Sequence, residues 1–184
     1  GPTGIGKSRL AEWLVERAVE VGAALAVRAG HGPGGGPLDG LPGLISLNAR
    51  TLGLKRRELV KRLFEVVKRQ GVQEPDEALA LGELLQPGAD GEDRMRLGSA
   101  RERHALVLRY LERIAADRPA VAWLDDVQWG ADSIAFARMV LDDPRGKATP
   151  VLVVLSASDE EIAARPIELE ALEELSRQPG AVTV

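Results

Sequence analysis

Four residues at the start of the chain have the types and spacing of a phosphate-binding loop. The pattern G-x-x-x-x-G-K-[ST] is satisfied by Gly1, Gly6, Lys7 and Ser8. Glycines here, including Gly4, let the backbone turn with several N–H groups inward, and the N-terminus of a following helix extends this anion site. Lys7 supplies a mobile charge for the β- and γ-phosphates, and Ser8 offers a hydroxyl to Mg²⁺.

Two adjacent carboxylates follow an apolar stretch much further along the chain. In PAVAWLDDVQWGADS the residues 120–124 predict a buried strand, and Asp125 and Asp126 come directly after it. A parallel strand that ends in Asp is what an ATPase with a phosphate loop needs opposite that loop. We expect Asp125 near the Mg²⁺ shell and Asp126 where an attacking water would lie. An acidic turn after a strand is common, so the pair is informative mainly because the loop accompanies it.

The elements that must position these residues alternate along the chain. Apolar runs predict buried strands, and residues at helical spacing, such as Leu10 and Leu14, predict helices. The predicted strands are 23–29, 120–124, 149–155 and the start of a further strand at 180–184, and the predicted helices include 7–21, 75–86 and 168–177. This alternation indicates one α/β domain over 1–184 with a parallel sheet.

Two intervening segments leave alternatives open. The Gly- and Pro-rich stretch 30–43 predicts a long loop, which is either a flexible connection or a nucleotide or partner contact. The helix predicted over 55–69 has an apolar stripe and many Lys and Arg residues, so it presents either a solvated face or a nucleic-acid surface. Ser99 and Glu102 form a capping box for the helix that precedes the second strand.

Composition excludes several classes of protein. The 184 residues are 45% hydrophobic and 28% charged, with a net charge of −4, which is ordinary for a globular domain and gives no overall nucleic-acid footprint. The chain has no cysteine, so disulfides and thiolate metal sites are excluded. No apolar run approaches the length of a membrane span, and no membrane partner is expected. A signal peptide is not seen, although a truncated start would hide one.

Together the segments GPTGIGKSRL, RPAVAWLDDVQWGADS and PVLVVLSASDEE resemble the ATPase domain of STAND-type signalling proteins in the AAA-related group. This group includes large bacterial transcription activators and ATPase modules fused to serine/threonine kinases or adenylate cyclases. The resemblance covers nearly the whole chain. It implies a P-loop NTPase three-layer sandwich with strand order 5-1-4-3-2, a cytoplasmic location, and the cofactors ATP and Mg²⁺.

The resemblance also implies roles for individual residues. Nucleotide binding is expected of Gly1, Pro2, Thr3, Gly4, Ile5, Gly6, Lys7, Ser8, Arg9 and Ser156. Lys7 and Asp126 are expected to be catalytic, with Asp126 as the base, and Ser8 and Asp125 to serve Mg²⁺. Gln128, Trp129 and Asp132 match family positions that we interpret as structural, with Asp132 as the N-cap of the next helix.

The chain departs from the family pattern after the fourth strand and in the 30–50 region, which is richer in Gly and Pro than the family pattern predicts. Ser156 can still act as a polar sensor of the γ-phosphate, but Ser158 stands where the family usually carries an arginine, so a charge contact is missing. Asp126 is one methylene shorter than the Glu found in many related ATPases, which predicts slow turnover. The strand that precedes the loop in this fold class is absent before Gly1, so we expect a fragment of a longer protein.

The sequence therefore predicts a slowly hydrolysing Mg-ATP switch attached to signalling or effector domains. The alternatives are a module that holds nucleotide with negligible turnover, and a nucleic-acid-associated ATPase that uses the basic helix at 55–69. No arginine finger can be assigned, and oligomerisation stays open.

Overall fold

The structure is a computed structural model that describes residues 1–36, 38–72, 75–88, 97–143 and 150–184. The strands are β1 (Leu25–Ala29), β2 (Ala120–Leu124) and β3 (Val151–Leu155). The helices are α1 (Lys7–Glu20), α2 (Gly40–Ala49), α3 (Arg56–Arg69), α4 (Asp76–Leu85), α5 (Ala100–Ile114), α6 (Ala131–Asp142), α7 (Asp159–Ile162) and α8 (Pro166–Ser176), and a 3-10 turn covers Val127–Trp129. The predicted fold class, α/β, is therefore confirmed.

The three strands form one parallel sheet in the order β1-β2-β3. Trp123 of β2 pairs with Arg28 of β1 on one side and with Val154 of β3 on the other. All five residues of β2 are buried, as expected for a central parallel strand that is covered on both faces. The three carboxyl ends consequently lie side by side at one edge of the sheet.

The helices between β1 and β2 build most of the core. Helix α2 packs on β1, α3 packs on α4, and α6 packs on α8. The predicted apolar stripe of α3 is buried at Leu59, Leu63 and Val67, and the predicted capping box of α5 forms between Ser99 and Glu102. The local sequence signals of α3 and α5 are therefore confirmed.

The structure corrects two predicted segments. The loop predicted over 30–43 ends earlier, because α2 begins at Gly40. Pro42 lies in the first turn of that helix, where a missing N–H costs no hydrogen bond. Residues 181–184 form no strand, and Val182 and Val184 are exposed.

Helix α1 forms where it was predicted, but its apolar residues are mostly exposed. Only Ala11 is buried, whereas Leu10, Trp13 and Leu14 face solvent.

Across the described ranges, no helix has both the length and the apolar character needed to cross a membrane.

Candidate functional site

The predicted phosphate loop, residues 1–8, has the backbone that its glycines predict. Gly4 and Gly6 adopt φ of 80° and 95°, a region that residues with a side chain rarely enter, and α1 begins at Lys7. Among the described residues, no backbone carbonyl or side chain accepts from the N–H groups of Gly4, Gly6, Lys7 or Ser8. Lys7 Nζ donates to the carbonyls of Gly1 at 2.5 Å and Pro2 at 2.7 Å. The loop thus offers free N–H donors with an ammonium group beside them.

Asp125 connects this loop to the sheet. Its Oδ1 accepts a hydrogen bond from Ser8 Oγ at 3.1 Å and a second from the hydroxyl of Ser156. Its Oδ2 accepts from Arg28 Nη2 at 2.9 Å. The carboxylate is 8% exposed, so these donors replace the water that an ionised acid would otherwise require.

The strand register explains why these groups meet. Asp125 N donates to Ala29 O at 2.9 Å, and Ser156 N donates to Leu124 O at 3.1 Å, so the ladder continues one residue past the strands. Asp125 and Ser156 therefore lie at the carboxyl edge of the sheet. Ligands of open α/β sheets bind in the crevice outside this edge.

Asp126 lies next to that cluster in a strained conformation. Its φ is 57°, in the left-handed region, and its side chain is exposed. Gln128 Nε2 donates to Asp126 Oδ1 at 3.2 Å and also to a carboxylate oxygen of Glu161. Gln128 Oε1 accepts from Ser158 N at 3.2 Å, and Gln128 is fully buried. Gln128 thereby ties the acidic turn to the segment that follows β3.

That same segment contacts the predicted phosphate loop through Glu160. Thr3 donates to the carboxylate of Glu160 from its backbone N at 2.9 Å and from its hydroxyl at 2.7 Å, and Ser158 Oγ donates at 3.0 Å. These hydrogen bonds, that of the Thr3 hydroxyl first, lower the pKa of Glu160 to about 2. Ser158, where an arginine was expected, thus binds an acid of its own chain.

His31 joins the loop after β1 to the acidic turn. His31 Nδ1 lies 2.7 Å from Asp125 O, and Nε2 lies 2.8 Å from Ser133 Oγ. A carbonyl oxygen only accepts, so Nδ1 carries the proton, and in the neutral ring Nε2 accepts from the hydroxyl. Gly130 permits this packing, since a Cβ there would lie 2.3 Å from the ring. Part of the Gly- and Pro-rich stretch is therefore anchored beside the site; Pro37 in it lies outside the described residues.

The predicted site residues differ in where the structure places them. Ser8, Asp125 and Ser156 are hydrogen-bonded together, and Asp126 is adjacent to them. The residues of the loop from Gly1 to Gly6 are exposed, with Ile5 at 68%. Arg9 is also exposed. Asp132 is not the N-cap of α6, because Gly130 occupies that position.

Asp132 instead accepts from His104 Nε2 at 2.9 Å. This bond, despite partial burial, lowers the pKa of the Asp132 carboxyl. His104 lines a cavity of about 650 Å³ between α5 and α6, and none of the predicted site residues lines it.

Sequence reasoning missed three side chains at the site and assigned a fourth, Gln128, only a structural role. Arg28, His31, Gln128 and Glu160 all contact predicted residues. Arg28 and His31 carried a local signal. Arg28 is a charged residue within the apolar strand β1, and His31 follows the carboxyl end of that strand. Glu160 depends on a contact between distant segments and carried no local signal.

The donor set suits Mg²⁺ and a phosphate chain. Mg²⁺ keeps several waters and takes only one or two protein oxygens, which Ser8 and Asp125 offer. Within the described ranges no cluster of three His, Cys, Asp or Glu side chains forms a metal cage. The unpaired N–H groups of the loop match phosphate oxygens.

Comparison of the chain with known protein families, with curated proteins and with solved structures gave no match.

Proposed function

We propose that this chain is a Mg-ATP-binding module that hydrolyses ATP slowly and acts as a nucleotide-dependent switch. The hydrogen bond from Ser8 to Asp125 carries this proposal. It joins a phosphate-loop hydroxyl to an acid 117 positions away, at the carboxyl edge of a parallel sheet. The order β1-β2-β3 is compatible with strands 2, 3 and 4 of the proposed 5-1-4-3-2 arrangement of a P-loop NTPase three-layer sandwich.

Lys7 and Ser8 would each exchange their present hydrogen-bond partners when nucleotide binds. Lys7 would leave the carbonyls of Gly1 and Pro2 for phosphate oxygens, since these accept an ammonium more strongly than a neutral carbonyl does. The Ser8 hydroxyl would turn from Asp125 to Mg²⁺. The bound Mg²⁺ supplies charge neutralisation for the phosphates.

Hydrolysis would rest on Asp126. Gln128 orients the carboxylate through Oδ1, which leaves Oδ2 to accept a proton from water. The short side chain of Asp126 and its contact with Gln128 both favour slow ATP hydrolysis. The ATP and ADP states would then bias attached or partner signalling domains.

A module that holds nucleotide without turnover is the second candidate, favoured by the same restraint on Asp126. The nucleic-acid alternative is weakened by α3, because two of its basic residues are already engaged. Arg56 pairs with Glu83, and Arg62 donates to Ala49 O at 3.0 Å.

Paired variants of the two acids test the proposal. Asp125→Ala is expected to remove most of the Mg²⁺ dependence of ATP binding, whereas Asp126→Asn keeps binding near normal and lowers phosphate release. Titrations with and without Mg²⁺ and a phosphate-release assay measure the two effects. Equal losses of affinity in both variants would refute the assigned roles, and no turnover in the unchanged chain would favour the second candidate.

A further inference from the structure

Arg28, on β1, forms an ion pair with Asp125, the candidate Mg²⁺ ligand. Its Nη2 lies 2.9 Å from Asp125 Oδ2, and its guanidinium carbon lies 3.8 Å above the ring centre of Trp123. The strand register pairs Arg28 directly with Trp123. The stack and the ion pair therefore hold the guanidinium in one orientation.

Most of the hydrogen-bonding capacity of Arg28 is unused. A guanidinium has five N–H donors, and Asp125 is the single acceptor that Arg28 contacts within the described residues. The side chain is 49% exposed although Asp125 beside it is 8% exposed. One side of the guanidinium therefore satisfies the buried carboxylate of Asp125, while the rest of it is open to solvent and to a ligand.

The unused donors lie close to the phosphate loop. Asp125 bonds to Arg28 through Oδ2 and to Ser8 through Oδ1 at 3.1 Å, so a single carboxylate separates the guanidinium from the Ser8 hydroxyl. At the position where the family resemblance predicts an arginine, Ser158 donates to Glu160 instead. The site therefore lacks a cation at that position and holds one, Arg28, on the other side of Asp125.

We propose that Arg28 binds the terminal phosphate of a nucleoside triphosphate and so lets the site distinguish triphosphate from diphosphate. This inference rests on the proposed function. Arginine donates two parallel N–H groups to phosphate oxygens. A diphosphate bound at the same loop lacks the terminal phosphate and would not reach these donors. Mg²⁺ at Asp125 would weaken the present ion pair and leave the guanidinium available.

The test is the ratio of two affinities, measured by calorimetry on the full chain with Mg-ADP and with the magnesium complex of β,γ-imido-ATP. Arg28→Gln is expected to weaken binding of the triphosphate analogue tenfold or more and that of ADP less than threefold. Arg28→Lys should lower the ratio by a smaller factor, because it keeps the charge but not the planar fork. Arg109→Gln, at an exposed position on α5, is the matched control and should leave the ratio unchanged.

The outcomes separate the two proposals. If both affinities fall together, or neither falls, Arg28 is only a counter-ion of Asp125 and the inference is wrong. If the unchanged chain binds neither nucleotide, the proposed function fails, and this inference fails with it. Thermal melting without nucleotide checks folding; if Arg28→Gln does not fold, the ratio for Arg28→Lys decides the question, and an unchanged ratio there overturns the inference.

Discussion

Replacing Gln128 with leucine should destabilise the chain through one specific buried group. Gln128 is fully buried, and its Oε1 accepts from the backbone N of Ser158, a residue that is 6% exposed. Leucine has a similar volume, so the packing loss is small. The N–H of Ser158, however, loses its acceptor without access to water.

The expected loss of unfolding free energy follows from that group. A buried donor without a partner costs about 1–3 kcal/mol. The two carboxylates that also bond to Gln128, on Asp126 and Glu161, are on exposed residues and can regain water, so they add little. We expect Gln128→Leu to lower the free energy of unfolding by about 2 kcal/mol, measured by urea unfolding at neutral pH. The dependence of that free energy on urea concentration, the m-value, should not change.

Two further variants sharpen this prediction. Gln128→Glu keeps the acceptor for Ser158 but buries a charge beside two carboxylates, so at neutral pH it should lose more than Gln128→Leu does. Burial raises the pKa of the new carboxyl, so its penalty is absent below the pKa of the unfolded state and grows as the pH rises. Gln70→Leu is the matched control, because Gln70 Oε1 is buried without a partner in the described part of the chain. A loss below about 0.5 kcal/mol for Gln128→Leu, or an equal loss for Gln70→Leu, would refute the reasoning.

Two other predictions concern the loops around the site. Gly130→Ala should displace the ring of His31, which lies 2.3 Å from the added Cβ, and lower the unfolding free energy by about 1–3 kcal/mol, whereas Gly34→Ala, with nothing within 4 Å, should change little in the same thermal melts. The Glu160 carboxyl should titrate near the value of about 2 that its bonds to Thr3 produce, in a side-chain NMR titration. Because the folded pKa is lowered, its contribution to stability is present above the ordinary carboxyl pKa and is lost as the pH falls toward 2, and an ordinary pKa would contradict the contact.

The sequence predicted what local patterns determine. The strands at 120–124 and 151–155, the capping box at Ser99 and the glycine-dependent turn before Lys7 all follow from the types of neighbouring residues. Ser8 and Asp125 were both predicted to serve Mg²⁺ from their motifs, and Ser8 Oγ lies 3.1 Å from Asp125 Oδ1.

The parts that sequence could not supply depend on tertiary packing. A helix begins within the Gly- and Pro-rich stretch because α2 is buried against β1, and Gly40 enters this helix with a φ of 61°. Asp132 leaves the N-cap position and bonds to the buried ring of His104, a contact between helices that no local pattern signals. Gln128 likewise has two of its three partners, Ser158 and Glu161, on a distant segment.

Calorimetric titration of Mg-ATP into the chain and into Lys7→Ala tests the central claim most directly. The unchanged chain is expected to bind one nucleotide, and Lys7→Ala to bind it at least tenfold more weakly, a loss of about 1.4 kcal/mol or more. The fold should survive, since Lys7 bonds only to carbonyls of its own loop among the described residues. Equal affinity in the two proteins with equal melting temperatures, or no binding by the unchanged chain, would contradict the assignment of residues 1–8 as a phosphate-binding loop.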